Sequence, residues 1–251
     1  MFPISDDVPS KHIPIVTWLL ILVNVLIFLL ELACPEYARE QIIYIFGIVP
    51  RRYTDAHWAS LVGFSYNNLW NYWPFFTHMF LHGSWLHIIS NMWALWIFGD
   101  NVEDRMGPIR FLLFYLICGI IAACIHLSLH PDSTVPTIGA SGAISGVLGA
   151  YFLLFPLANV LVMIPILIFP FFFVLPAFIY IGIWFLLQFM SGTASLVTPQ
   201  AAGGIAWWAH IGGFVAGLLL CNLFVSRDYK QGTKNLMYQQ KTAISDAWTK
   251  Y

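Results

Sequence analysis

GASGAISGVLGAYFLLF, residues 139–155, is the stretch whose reading decides the fold. It turns wholly apolar after opening on two serines set among glycines. It lies inside residues 133–226, which hold no Asp, Glu, Lys or Arg and a single histidine, His210. Uncharged apolar runs of at least ~18 residues cross membranes as helices. The runs are continuous rather than alternating, so a membrane β-barrel is excluded.

The whole chain agrees with that reading. It has 251 residues, 59% hydrophobic and 9% charged, against about 25% charged for a soluble domain. The expected fold is all-α: a polytopic membrane protein built as a six-helix transmembrane bundle with a long interfacial first loop. A net charge of −1 offers no electrostatic case for a nucleic-acid partner. Cys34, Cys118, Cys124 and Cys221 are scattered with no CxxC pair and read as small packing residues. The first twelve residues are acidic before the first apolar run, so that run reads as a retained helix rather than a cleaved leader.

Six spans are expected, at about 13–32, 85–98, 109–129, 141–155, 161–190 and 205–225. They form a core over 13–226, between a short tail, 1–12, and a C-terminal tail, 227–251. The mixed, aromatic-rich stretch from 33 to about 80 reads as interfacial. Lys11, Arg105, Arg110, Arg227, Lys230 and Lys234 fall on one side, which the Lys/Arg rule assigns to the cytoplasm with both termini. Arg39, Arg51 and Arg52 fall on the other side, in a loop long enough to weaken the rule. The expected location is the prokaryotic cytoplasmic (inner) membrane. Pro165, Pro170 and Pro176 lie within the expected fifth span. Each would remove a helix hydrogen bond and loosen it, as a movable lateral door requires.

Polar residues converge at one depth. His87 and Asn91 are four apart, on one helical face near the start of the second span. Ser141 opens the fourth span, and His210 sits about five residues into the sixth, on the order of 8 Å along its axis. Polar groups at membrane depth face a bundle interior or a wet cavity, and non-helical backbone there, such as 137–140, needs protein or water beside it. A serine hydroxyl becomes nucleophilic when a base takes its proton, and histidine is the usual base near neutral pH. Without a carboxylate the pair would be a dyad, not a triad. Chemistry does not choose between Ser141 and Ser145. Position favours Ser141, where a helix start supplies free N–H groups for an oxyanion, with His87 and Asn91 as further donors.

Blander readings exist for each feature. The glycines suit close helix packing, a lone membrane serine commonly bonds back to the i−4 carbonyl, and a lone histidine suits a transporter. GASGA lacks the final glycine of a G-x-S-x-G elbow. His78, His82 and His87 have a spacing that permits metal binding, yet no HExxH or neighbouring carboxylate accompanies them, so neither metal nor cofactor is expected.

Three motifs carry a resemblance: HGSWLHIISNMW at 82–93, GASG at 139–142 and AHIGGFVAG at 209–217. In this order the chain resembles the rhomboid intramembrane serine proteases along nearly its whole core. PIVTWLLILVNV and FGIVPRRY are similar to the family as well. The resemblance implies Ser141 as nucleophile, His210 as general base, and His87, Asn91 and the Ser141 N–H as the oxyanion hole. It implies that His82 is a buried hydrogen-bonder and that Glu103 and Arg105 belong to a helix-end region. It also implies transmembrane protein substrates cut near the outer membrane face, where a substrate helix unwinds, with the lipid bilayer as surroundings and no metal. Two positions depart from the family pattern. Pro74 follows Trp73 where many members have Trp-Arg, and Ser145 stands where an aromatic ring often stacks on the base. The alternative reading is a catalytically inactive rhomboid-like chaperone that binds membrane clients.

Overall fold

The computed structural model of the chain describes residues 1–64, 69–166, 169–197 and 205–226. The C-terminal tail, 227–251, lies outside the described residues. In chain order the elements are β1 (Phe2–Asp6), α1 (Ile15–Ala33), α2 (Glu36–Phe46), α3 (Arg51–Thr54), α4 (Ala56–Leu61), α5 (Pro74–Thr77), α6 (Trp85–Met106), α7 (Pro108–Leu129), α8 (Ser141–Leu154), β2 (Asn159–Ile166), β3 (Phe169–Pro176), α9 (Ala177–Val197) and α10 (Trp207–Phe224). Four of the helices, α1, α7, α9 and α10, are long and apolar enough to cross a membrane, so this is a multi-pass membrane protein. The helices α6 and α8 complete the bundle. α8 has only 14 residues, and α6 carries charge at its far end.

That charged end explains why α6 runs to Met106, beyond the expected boundary at 98. Its acidic side chains all find partners. Asp100 accepts from Ser10 Oγ at 2.6 Å and Asp104 from His12 N at 3.1 Å. The buried Glu103 carboxylate accepts from Val16 N, Thr17 N and Thr17 Oγ1 at 2.8–2.9 Å. Pro14, the N-cap of α1, offers no capping side chain, so Glu103 satisfies the free N–H groups of that helix from a neighbour.

The bundle centre is held by glycine. α8 packs on α10 through Gly142, Gly146, Gly213 and Gly217. A Cβ on Gly213 would strike the Gly142 carbonyl oxygen, and one on Gly217 would strike that of Gly146. Only glycine permits this backbone approach.

Two expectations need correction. The fold is not purely helical, and residues 161–190 are not one span. Between α8 and α9 the chain forms a hairpin, β2 antiparallel to β3, and β1 adds to its other side in the order β1-β2-β3. The prolines are the physical reason. In a helix each would lose a hydrogen bond and clash with the preceding turn. In the sheet, Pro165 opposes Pro170 and Pro3 opposes Val162, positions where the ladder asks for no N–H. The proposed loosening of a fifth helix by these residues therefore falls: they precede α9.

The first loop closes over the end of the bundle that bears Ser141. Ile48 pairs with Thr137 through hydrogen bonds of 2.7 and 3.0 Å. Arg52 donates to Ile45 O and Asn71 Oδ1, each at 3.0 Å, with its guanidinium 3.6 Å from the centre of the Phe64 ring. This buried arginine anchors the loop in a chain where Pro74 follows Trp73, and Pro74 opens the short helix α5.

Candidate active site

The glycine contacts between α8 and α10 set the register of two polar side chains. Ser141 precedes Gly142 by one residue and His210 precedes Gly213 by three, so the same close approach brings both to one spot. His210 Nε2 lies 2.8 Å from Ser141 Oγ. The other ring nitrogen, Nδ1, lies 2.8 Å from Gln188 Oε1 on α9. An amide oxygen only accepts, so Nδ1 carries the proton and Nε2 presents its lone pair to the serine hydroxyl. Gln188 is buried. It is the functional-type residue that sequence reasoning missed, although it is the lone amide between 161 and 197.

Ser145 is set apart from this pair. Its hydroxyl donates back to the Ser141 carbonyl at 2.6 Å and is buried, the local bond that helical serines commonly make. The rings beside His210 come from other positions: Trp184 at 6.3 Å and Trp207 at 6.1 Å between centroids.

Gly139 shapes the approach to Ser141. Its φ of +117° is a backbone state that glycine adopts freely. A Cβ there would come within 2.5 Å of His87 Nε2 and 3.6 Å of Asn91 Nδ2. The loop backbone thus lies directly on the imidazole and amide of α6. At the start of α8, Ile144 N is the first donor into the helix, to Ala140 O at 3.0 Å. The N–H groups of Ser141, Gly142 and Ala143 consequently have no intrahelical acceptor.

The amide of Asn91 is aimed by His82. Asn91 Nδ2 and His82 Nε2 are 3.0 Å apart. The amide nitrogen only donates, so His82 accepts through Nε2, and burial pushes its pKa down to about 3, which keeps that lone pair available. One N–H of Asn91 is used in this way and the second is free to serve a ligand beside Gly139. His87 packs edge-on against His82 at 4.9 Å, while His78 Nδ1 lies 2.7 Å from Pro74 O. Among the described residues no three His, Cys, Asp or Glu side chains gather as a metal-binding group.

Ser141, His210, His87 and Asn91 therefore stand at one end of the bundle, from three helices. Residues 69–227 match the Rhomboid domain family. The chain belongs to the rhomboid family. It is 33% identical over 149 residues to rhomboid protein 1, mitochondrial, of Saccharomyces cerevisiae, covering 56% of this chain and 38% of that one. It is 30% identical over 149 residues to the rhomboid protease AarA of Providencia stuartii, covering 53% and 48%. To the rhomboid protease GluP of Bacillus subtilis it is 42% identical over 79 residues, covering 32% and 15%. The rhomboid chain spans less than half the length of these curated relatives.

Proposed function

We propose that this rhomboid is an intramembrane serine endopeptidase acting on transmembrane proteins. The observation that carries the reading is the 2.8 Å contact between Ser141 Oγ and His210 Nε2, with the tautomer set by Gln188. Ser141 Oγ attacks the carbonyl carbon of the scissile peptide bond while His210 Nε2 takes its proton. The oxyanion is received by the Ser141 N–H and by the side chains of His87 and Asn91. His210 then passes its proton to the leaving amine, leaving an acyl ester on Ser141. Water attacks that ester with His210 again as base, and the hydroxyl is restored. The scheme needs only the chain's own side chains and water.

Family membership and relatives named as rhomboid proteases support the assignment. The proposed topology puts the charged end of α6 and the C-terminal tail on the cytoplasmic side, with the Ser141 end near the outer face. Purified protein and its Ser141→Ala variant, treated with a fluorophosphonate and with a single-span test peptide carrying a Gly-Ser break, decide the matter. The expected result is labelling and peptide fragments for the wild type and neither for the variant. Client binding that is equal in both proteins, with no fragments from either, would instead assign the chain a chaperone role.

A further inference from the structure

The sheet raises a problem of its own. β2 and β3 read NVLVMIPI and FPFFFVLP, with Asn159 as the only polar side chain. A sheet with one wet face alternates polar and apolar residues, whereas apolar residues on both faces mean apolar surroundings on both. Phe169, Phe171, Phe172, Phe173 and Val174 are all exposed, by 45–62%. The sheet's placement accounts for that. Asp6 of β1 accepts from Asn101 Nδ2 at 2.8 Å, and Pro3 O accepts from Trp93 Nε1 at 2.6 Å. Along α6 those partners are roughly 12 Å apart. β1 therefore climbs α6 from the charged end toward Asn91 and His87, and the sheet stands in the layer of the spans. There β1 lies against α6 and β2 and β3 against α9, while Phe98 of α6 stacks on Tyr180 of α9 with 6.0 Å between ring centroids.

One edge of this sheet is open. α6 covers β1, but β3 is the last strand. Pro165 and Pro170 face each other, and neither has an N–H, so they form a non-hydrogen-bonded pair. By alternation Met163–Phe172, Leu161–Val174 and Asn159–Pro176 are of the same kind. The 3.1 Å bond from Asp7 N to Asn159 O, directed away from β3, agrees. Phe172 and Val174 thus turn their N–H and C=O groups outward, while Pro170 and Pro176 on either side have no N–H to leave unpaired. In hydrocarbon such groups are costly without a partner.

We propose that the Phe172–Val174 edge of β3 binds an extended apolar segment of the membrane protein to be cut, by addition of a strand. This rests on the protease reading above. An unwound transmembrane segment presents unpaired N–H and C=O groups in lipid, and pairing it with β3 satisfies both chains. Two donors between two prolines make a short, releasable grip, too little edge for a lasting sheet between two copies. β1 runs along α6 toward the oxyanion donors, and β3 belongs to the same sheet.

The test places a benzophenone amino acid at Val174 in the Ser141→Ala background and adds the radiolabelled test peptide in phospholipid vesicles. The expected product is a peptide adduct at Val174, reduced about tenfold by Phe172→Pro, which deletes a donor without touching the β2 ladder. Adducts only between two copies, or only with lipid, would overturn the proposal. Fluorophosphonate labelling of the wild type separates the two readings. Labelling without a peptide adduct sinks the edge alone, whereas no labelling sinks the protease assignment beneath it.

Discussion

An imidazole that takes a proton from a serine must show that serine its lone pair, and in a site without a carboxylate something else has to fix the tautomer. Gln188 does this through its carbonyl oxygen, 2.8 Å from His210 Nδ1. Losing the acceptor would free the ring to turn or to place its proton on Nε2. Gln188→Leu is therefore expected to slow fluorophosphonate labelling of Ser141 by roughly 10²-fold, less than the roughly 10⁴-fold seen when a triad carboxylate is replaced and the tautomer is wrong. Gln188→Glu, which keeps an acceptor, should retain most of the rate. Labelling at the wild-type rate in Gln188→Leu, in protein of normal thermal stability, would remove the orienting role. The Ser145 hydroxyl, already committed to the Ser141 carbonyl, should tolerate Ala with little change in the site's geometry.

At the scale of elements, the spacing between Ser141 and His210 is a property of the α8–α10 contact. No loop could hold two side chains from distant parts of the sequence so closely without it. Gly213→Ala puts a methyl group against the Gly142 carbonyl, so the helices must move apart. Overpacking of this kind costs about 1–3 kcal/mol, and the displacement acts directly on the pair. The expected outcome is a lowered unfolding midpoint in detergent together with loss of Ser141 labelling. Gly182→Ala, where a Cβ meets nothing within 4 Å, is the matched control. The ends of α1, α7, α8 and α10 were legible in the sequence because apolar runs stop at Pro, Gly or charge. The α8–α9 connection was not. The hairpin within it, residues 159–176, is as apolar as a span, so hydropathy cannot tell strand from helix there. The prolines carried the missing signal, since Pro165, Pro170 and Pro176 would break a helix three times, whereas strands tolerate proline at positions that owe the ladder no N–H. Gln188 was obscured for the same reason, sitting inside a window read only for its apolarity.

At the scale of the whole molecule, the N-terminal strand ties the first residues of the chain to α6, α8 and the hairpin, with Asp6 at the junction. Its carboxylate accepts from Tyr151 Oη at 2.6 Å, Asn101 Nδ2 at 2.8 Å and Val8 N at 3.2 Å. Burial nevertheless outweighs those bonds and pushes its pKa up to about 6, with Asp100 and Asp7 adding repulsion. The sign follows from linkage. A carboxyl that holds its proton more tightly when folded than when unfolded favours the folded state at low pH. That contribution is fully present below the unfolded pKa of 3.8 and is lost as pH rises to about 6. The unfolding midpoint in detergent should therefore fall as pH is raised from 4.5 to 7, over the range that spans the two values. Asp6→Asn stays neutral throughout and keeps an acceptor for Tyr151, so its midpoint should lack that part of the slope and match or exceed the wild type at pH 7. An equal slope in both proteins would assign the pH dependence to other groups and leave Asp6 as a simple hydrogen-bond acceptor. If the slope does disappear, the strand that carries Asp6 is coupled to the stability of the whole bundle, and with it the sheet that β1 shares with β2 and β3.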